Sequence, residues 1–270
     1  MMMEKKYYDF VVNHYQPSKY EWNELNGSRF KEGTYYSHVC KTRSYLVYRE
    51  IAKNKEKISK ILDMGFFPGT ILRQLKIIFH SQIHCYGVGL NIDNEFRNYM
   101  LDYLEDCFDF ELDPFYAGLT LSISLPLPSN SFDVIIATEI LEHLISPIEM
   151  ISEGARILRS GGFFIITTPN VSHIGAVLKI LRGKSNYERL DRSPMYLKMD
   201  KWRGHVRFYD KDELKKLFGR SGLILAKHSY YNEKGWRHAR WPLIKRLIVQ
   251  FSDIFCTIYR EGHFAVFQKR

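Results

Sequence analysis

Short apolar runs and stretches of helical period alternate along most of the chain. Lys60 to Met64 is an apolar run closed by Asp63-Met64-Gly65. Pro68-Gly69 then lead into Ile71, Leu72, Leu75 and Ile78, which fall on one helical face. The pattern predicts strand, tight turn, helix. A second strand is predicted over 83–88, ending at Gly89-Leu90-Asn91, and a third over 108–112, ending at Asp113-Pro114. A fourth over 132–137 leads into a helix from about Ile140. An amphipathic helix over 148–158 follows, closed by Ser160-Gly161-Gly162. The fifth strand, 163–168, stops at Pro169, which lacks the N–H of a central ladder.

Asp210 with Glu213 three residues on signals the start of a helix over 210–222. A strand at 223–228, an amphipathic helix around 243–259 and a last strand at 263–268 complete the pattern. Strands alternating with helices imply an α/β fold: a doubly wound, mostly parallel seven-stranded sheet of Rossmann-like type. Residues 1–57 read as a helical N-terminal extension, with helix-forming content at 45–58. Residues 58–270 read as the main domain. Within it, Gly175, Gly183, Pro194 and Gly204 mark 171–206 as a lid insertion over the carboxyl ends of the strands.

With 45% hydrophobic residues in 270, the chain is able to bury a full core. The first ten residues carry Glu4, Lys5 and Lys6 and no apolar stretch of signal-peptide length. The apolar stretch 243–259 is broken by Lys245, Arg246, Gln250 and Asp253. A cytoplasmic protein with no membrane span is expected. Cys40, Cys85, Cys107 and Cys256 are scattered, without metal or disulfide spacing. The net charge of +9 favours an anionic partner, yet no run of like charge is long enough to mark a binding tail.

In doubly wound sheets ligands bind beyond the carboxyl ends of the strands, where a glycine turn exposes helix N–H groups. The turn from Asp63 to Thr70 is such a place, but its signal is weak by itself. The later motifs are more specific: Ser131-Phe132-Asp133-Val134-Ile135, Glu139-Ile140-Leu141-Glu142-His143-Leu144, Ala155 through Gly162, Thr167-Thr168-Pro169-Asn170, and His205-Val206-Arg207-Phe208-Tyr209. In this order and spacing, over about 58–228, they closely resemble class I S-adenosylmethionine-dependent methyltransferases, including those of ubiquinone-type and glycan biosynthesis.

The resemblance implies S-adenosyl-L-methionine as cofactor. Asp63, Gly65, Phe67 and Gly69 would line its methionine and ribose part, Gly89, Leu90 and Asn91 its ribose hydroxyls, and Asp113 its adenine. Thr138 and Glu139, at the end of the fourth strand, complete the expected cofactor-binding set. Two departures stand out. Phe67 replaces the family's central glycine, and Gly89 replaces the acid usual after the second strand, leaving Asn91 or Asp93 as substitutes. Members with a similar Pro-Gly form of the first turn make these a subfamily trait.

On a helix, Glu139 would share a face with Glu142 and His143. Small-RNA 2′-O-methyltransferases and some quinone O-methyltransferases carry a similar Glu-x-x-Glu-His, with a later histidine, here His205, completing a divalent metal site. Three readings stay open for Glu139, Glu142, His143 and His205. They hold a metal, or His143 and His205 with Glu142 serve the acceptor hydroxyl without one, or they are structural. Lys179, Arg182, Lys184, Tyr187, Arg189, Arg192, Tyr196 and Trp202 in the lid suit an anionic or sugar-containing acceptor. Trp236, Arg237, Arg240, Trp241, Lys245 and Arg246 suit peripheral contact with an anionic membrane.

The expectation is methyl transfer to an oxygen, or secondarily a nitrogen, of a small-molecule or glycan- or lipid-linked acceptor. The alternatives are an RNA 2′-O-methyltransferase-like enzyme and a non-catalytic scaffold that kept the fold. No appended RNA-binding motif is present, so nucleic acid is not the expected partner. The sequence leaves the oligomeric state open.

Overall fold

The computed structural model describes residues 2–16, 18, 20, 42–90, 92–115, 118, 122–187, 204–233 and 256–270. Seven strands form one sheet: β1 (Lys60–Met64), β2 (His84–Gly89), β3 (Asp106–Asp109), β4 (Phe132–Thr138), β5 (Leu158–Pro169), β6 (Leu223–Tyr231) and β7 (Gly262–Lys269). Their order is β3-β2-β1-β4-β5-β7-β6. Neighbours among β1 to β5 are parallel, and β7 runs antiparallel to both β5 and β6. The doubly wound, mostly parallel seven-stranded sheet is therefore the fold. The last strand slots inside rather than at the edge, and six successive residues from Gly262 are buried, as a strand covered on both faces requires.

The helices are α1 (Met2–Asn13), α2 (Thr42–Lys53), α3 (Thr70–Phe79), α4 (Asn94–Met100), α5 (Pro147–Ile157), α6 (Ile174–Ile180) and α7 (Lys211–Gly219). Alternate strand residues feed two cores, as a two-residue period requires. Ile61, Val134 and Ile136 face the first, with Leu72 of α3, Phe96 of α4 and Ile51 of α2. Leu62, Ile135 and Ala137 face the second, with Met150 of α5 and Phe218 of α7. There Phe218 stacks on Phe267 with centroids 4.0 Å apart. The Asp210 carboxylate accepts from Glu213 N and caps α7 as the sequence predicted.

The N-terminal extension contributes to the first core. Tyr7 stacks on Tyr48, and its hydroxyl donates to Gln74 Oε1 of α3 at 2.7 Å. Buried Arg73 of α3 donates to Tyr15 Oη and to the Gln16 carbonyl, with its guanidinium against the rings of Tyr15, Tyr99 and Tyr103. Planar guanidinium on aromatic faces is a favourable way to bury this cation.

Three predicted elements are corrected. The third strand is Asp106–Asp109, because the parallel ladder pairs it with Tyr86–Gly89 and leaves Leu112 beyond it, in the second core. Gly161 and Gly162 lie within β5 rather than capping a helix: α5 ends at Ile157, and the chain turns extended at Leu158. No helix starts at Ile140. Glu139 takes a left-handed φ of 54°, a single 3-10 turn spans Leu141–His143, and Pro147 opens α5.

The predicted helix at 243–259 lies largely outside the described residues, of which Thr257–Tyr259 form one 3-10 turn. Cys85, Cys107 and Cys256 are free thiols, and Cys40 lies outside the described residues. No helix among the described residues is long and apolar enough to cross a membrane.

Candidate functional site

The carboxyl ends of β1, β2 and β4 meet at the first glycine turn. Gly65 has φ +85°, and a Cβ there would stand 2.4 Å from Ile140 Cδ1, just past β4. The amides of Gly65 and Phe66 both donate to the Val88 carbonyl, which ties the turn to β2. Gly69, at φ +88°, opens α3 against Met100. Phe67 is partly buried and packs on Phe96 of α4 with centroids 4.9 Å apart, so the departure from glycine adds to the first core.

Asp63 is buried, and its Oδ1 has no hydrogen-bond partner. Burial pushes its carboxyl up to about 8. A backbone cradle beside an orphaned buried acceptor suits a ligand that brings a donor and lies close to main chain.

A Cβ on Gly89 would stand 3.3 Å from the Cα of Gly65, so a side chain here meets backbone. Leu90 is half-buried, and Asn91 lies outside the described residues. Asp93 accepts from Phe96 N as the cap of α4. Asp109, opposite Gly89 on β3, accepts from Ile92 N. Asp113 is fully buried, with its two oxygens accepting from the amides of Phe115 and Ile145. Its carboxylate therefore joins the loops after β3 and β4.

Thr138 ends β4 opposite Thr167, and Glu139 follows it. Glu139 Oε1 accepts from Thr167 Oγ1 at 2.9 Å and from the Tyr231 hydroxyl at 3.1 Å, while its Oε2 lies 2.9 Å from Arg43 Nη1. Arg43 also faces Glu233, which accepts from Thr42 N. Burial opposes the charge on Arg43, but Glu139, Tyr231, Glu233 and Glu142 outweigh it and hold its pKa above the ordinary value. Sequence reasoning missed Arg43. A cation in the first turn of a helix opposes the helix dipole, a signal that it serves something else.

Glu142 is fully buried; its Oε2 accepts from Thr168 Oγ1 at 3.0 Å, and its Oε1 has no partner. Burial, then the charge of Glu139, raises its pKa well above the ordinary range and favours the neutral acid. The Glu142 carbonyl accepts from Val206 N at 2.8 Å, which brings in the strand of chain bearing His205. The rings of His143 and His205 then lie 4.8 Å apart. Ligand atoms of Glu142, His143 and His205 all fall within 4.8 Å of one another. Tyr209 fixes this arrangement from below, its hydroxyl donating to the Leu141 carbonyl.

Because the helix at 140 does not form, Glu139 is not on a shared face with this trio and serves the Arg43 network instead. Of the residues expected to grip an acceptor in 171–206, Lys179, Arg182, Lys184 and Tyr187 are exposed, and Tyr187 packs on Phe208 beside His205. Arg189, Arg192, Tyr196 and Trp202 lie outside the described residues, as do Trp236, Arg237, Arg240, Trp241, Lys245 and Arg246.

Residues 38–228 match the family model described as a methyltransferase domain. The chain belongs to this family, the class I S-adenosylmethionine-dependent methyltransferases. A probable S-adenosylmethionine-dependent methyltransferase of Mycolicibacterium smegmatis is 46% identical over 46 residues, which is 17% of this chain and 18% of that protein. The aligned stretch thus spans under a fifth of that relative. Among solved structures, an S-adenosylmethionine-dependent methyltransferase from Mesorhizobium loti has a TM-score of 0.52 at 13% identity, covering 86% of this chain and all of that one (100%). One from Archaeoglobus fulgidus has a TM-score of 0.50 at 14% identity, covering 87% and 98%. These share the fold. The cofactor of the family is S-adenosylmethionine, and the Asp63 acceptor with the Gly65–Gly89 cradle fits it.

Proposed function

We propose that this methyltransferase transfers the methyl group to a hydroxyl oxygen of a small-molecule or glycan- or lipid-linked acceptor. The observation that carries this reading is the meeting of Glu142, His143 and His205 directly beyond β4, one turn from the glycine cradle. S-Adenosylmethionine, when bound, supplies an already activated methyl on its sulfonium. The protein then aligns donor and acceptor and manages one proton. His143 and His205 are half-buried imidazoles able to accept that proton from the hydroxyl. Glu142 offers its unpartnered oxygen to the acceptor. The exposed cations of the lid add attraction for an anionic acceptor.

The same three side chains form a donor set suited to a divalent cation, which would acidify the hydroxyl. The orphaned Glu142 Oε1 favours this second form of the reading. Calorimetry with S-adenosylhomocysteine, with and without Mg²⁺ or Mn²⁺, tests both forms. Micromolar binding is expected, and no binding at millimolar ligand overturns the enzyme reading. Cation binding that is lost in His205→Ala supports the metal form, and no cation binding leaves the histidines as bases. A panel of hydroxyl and amine acceptors with labelled cofactor then separates oxygen from nitrogen.

A further inference from the structure

Ten large apolar side chains stand exposed among the described residues, and their distribution is uneven. Leu101 precedes β3 and Ile224 starts β6, both at the amino edge of the sheet. All the others belong to segments at the carboxyl edge. Phe115 follows β3 and Ile145 follows β4. Val171, Ile180, Leu181 and Tyr187 follow β5, and Ile258 precedes the antiparallel β7. Val206 is drawn to the same edge by its bond to Glu142. Scattered single apolar residues are ordinary on a protein surface, but their segregation to one edge, the edge that carries the site, is not.

The most exposed aliphatic pair, Ile180 and Leu181 at 58% and 76%, ends α6 within the run Lys179-Ile180-Leu181-Arg182-Gly183-Lys184. The three cations of this run are exposed as well. Two adjacent outward aliphatic side chains flanked by cations match the two components of an anionic bilayer surface. The aliphatics enter the boundary of headgroups and acyl chains, and the cations stay at the level of the lipid phosphates. An apolar protein partner would be served by the aliphatics but not by this ring of cations, and RNA by the cations but not by the aliphatics.

We infer that the carboxyl edge docks on an anionic membrane surface through Ile180 and Leu181, with Lys179, Arg182 and Lys184 around them. Docked this way, the protein turns Glu142, His143 and His205 toward the bilayer, so the acceptor is one presented there, a hydroxyl borne on a lipid or lipid-linked head. This deepens the proposed function and rests on it for the acceptor, whereas the docking itself does not require methyl transfer.

Flotation of the full chain with vesicles tests it, comparing phosphatidylcholine alone with phosphatidylcholine mixed with phosphatidylglycerol. Binding is expected to the mixed vesicles, to weaken as salt rises, and to be about tenfold or more weaker in Ile180→Ser/Leu181→Ser. Lys179→Glu/Arg182→Glu should lose at least about fivefold for each cation removed. Thermal melting and S-adenosylhomocysteine affinity of the serine variant, read alongside, should match the parent. No flotation at low salt, equal flotation with both vesicle types, or an unaffected serine variant overturns the inference. So does salt-sensitive RNA binding without flotation. Failure of cofactor binding with intact flotation would instead sink the proposed function and leave this surface standing.

Discussion

Arg43 Nη1 lies 2.9 Å from Glu139 Oε2, so a helix upstream of the sheet is ion-paired to the residue that follows the fourth strand. The pair sits beside Ile140, whose side chain closes over Gly65. Arg43→Ala leaves Glu139 and Glu233 facing each other without their shared cation. Because both carboxylates are partly exposed, the expected loss is about 1–3 kcal/mol, below that of a fully buried pair. Urea unfolding at neutral pH checks it.

Asp63 gives the cofactor-free protein a distinctive pH dependence. Its folded pKa, pushed up to about 8, exceeds that of the unfolded chain. Between about pH 4 and 8 the unfolded state has released this proton and the folded state keeps it. Stability therefore falls with rising pH, by up to about 1.4 kcal/mol per pH unit from this group. Asp63→Asn should flatten the difference curve across that window and weaken S-adenosylhomocysteine binding. Unfolding of both proteins from pH 4 to 8 measures the slope.

His228 Nε2 and His263 Nδ1 lie 2.9 Å apart, and His263 Nε2 donates to the Tyr209 carbonyl. Burial lowers both pKa values to about 4. Below about pH 6.5 the unfolded chain takes up protons that the folded pair refuses, so this contribution is complete above 6.5 and lost as pH falls toward 4. His263→Phe should reduce the acid sensitivity, at a cost at neutral pH from the freed Tyr209 carbonyl. Thermal melting from pH 4 to 7 is the measurement.

Restoring the family's acid with Gly89→Asp should weaken cofactor binding rather than improve it. The new Cβ would press on the backbone of Gly65. Calorimetry with S-adenosylhomocysteine checks the direction.

His143→Ala and His205→Ala should each lower methyl transfer to a hydroxyl acceptor by about 100-fold or more. Cofactor affinity should stay within about twofold if the proposed role toward the acceptor is right, since neither ring is part of the Gly65–Gly89 turn. Turnover with labelled cofactor, set against binding of the homocysteine product, separates the two effects.

The strands β1, β2, β4 and β5, the turn at Gly65 and the Asp210 cap were legible because each is written in a few neighbouring residues: an apolar run, a glycine, a side-chain oxygen three residues from an amide. The motifs from Ser131 to Tyr209 named the family for the same reason. Where the local pattern was ambiguous, tertiary contacts decided. The Glu139 stretch has helical spacing, yet its left-handed backbone and the hydrogen bonds from Thr167 and Tyr231 stop a helix from forming.

The sequence by itself determined the alternation of elements, the two-faced strands and the glycine turn after the first strand, since these depend on side-chain period and backbone freedom within short windows. Only the tertiary structure decided that β7 enters between β5 and β6, that Arg43 pairs with Glu139, and that Glu142 and His143 meet His205. Those outcomes join residues far apart in the chain. They are fixed by which buried charges and backbone groups find partners once the two cores have closed.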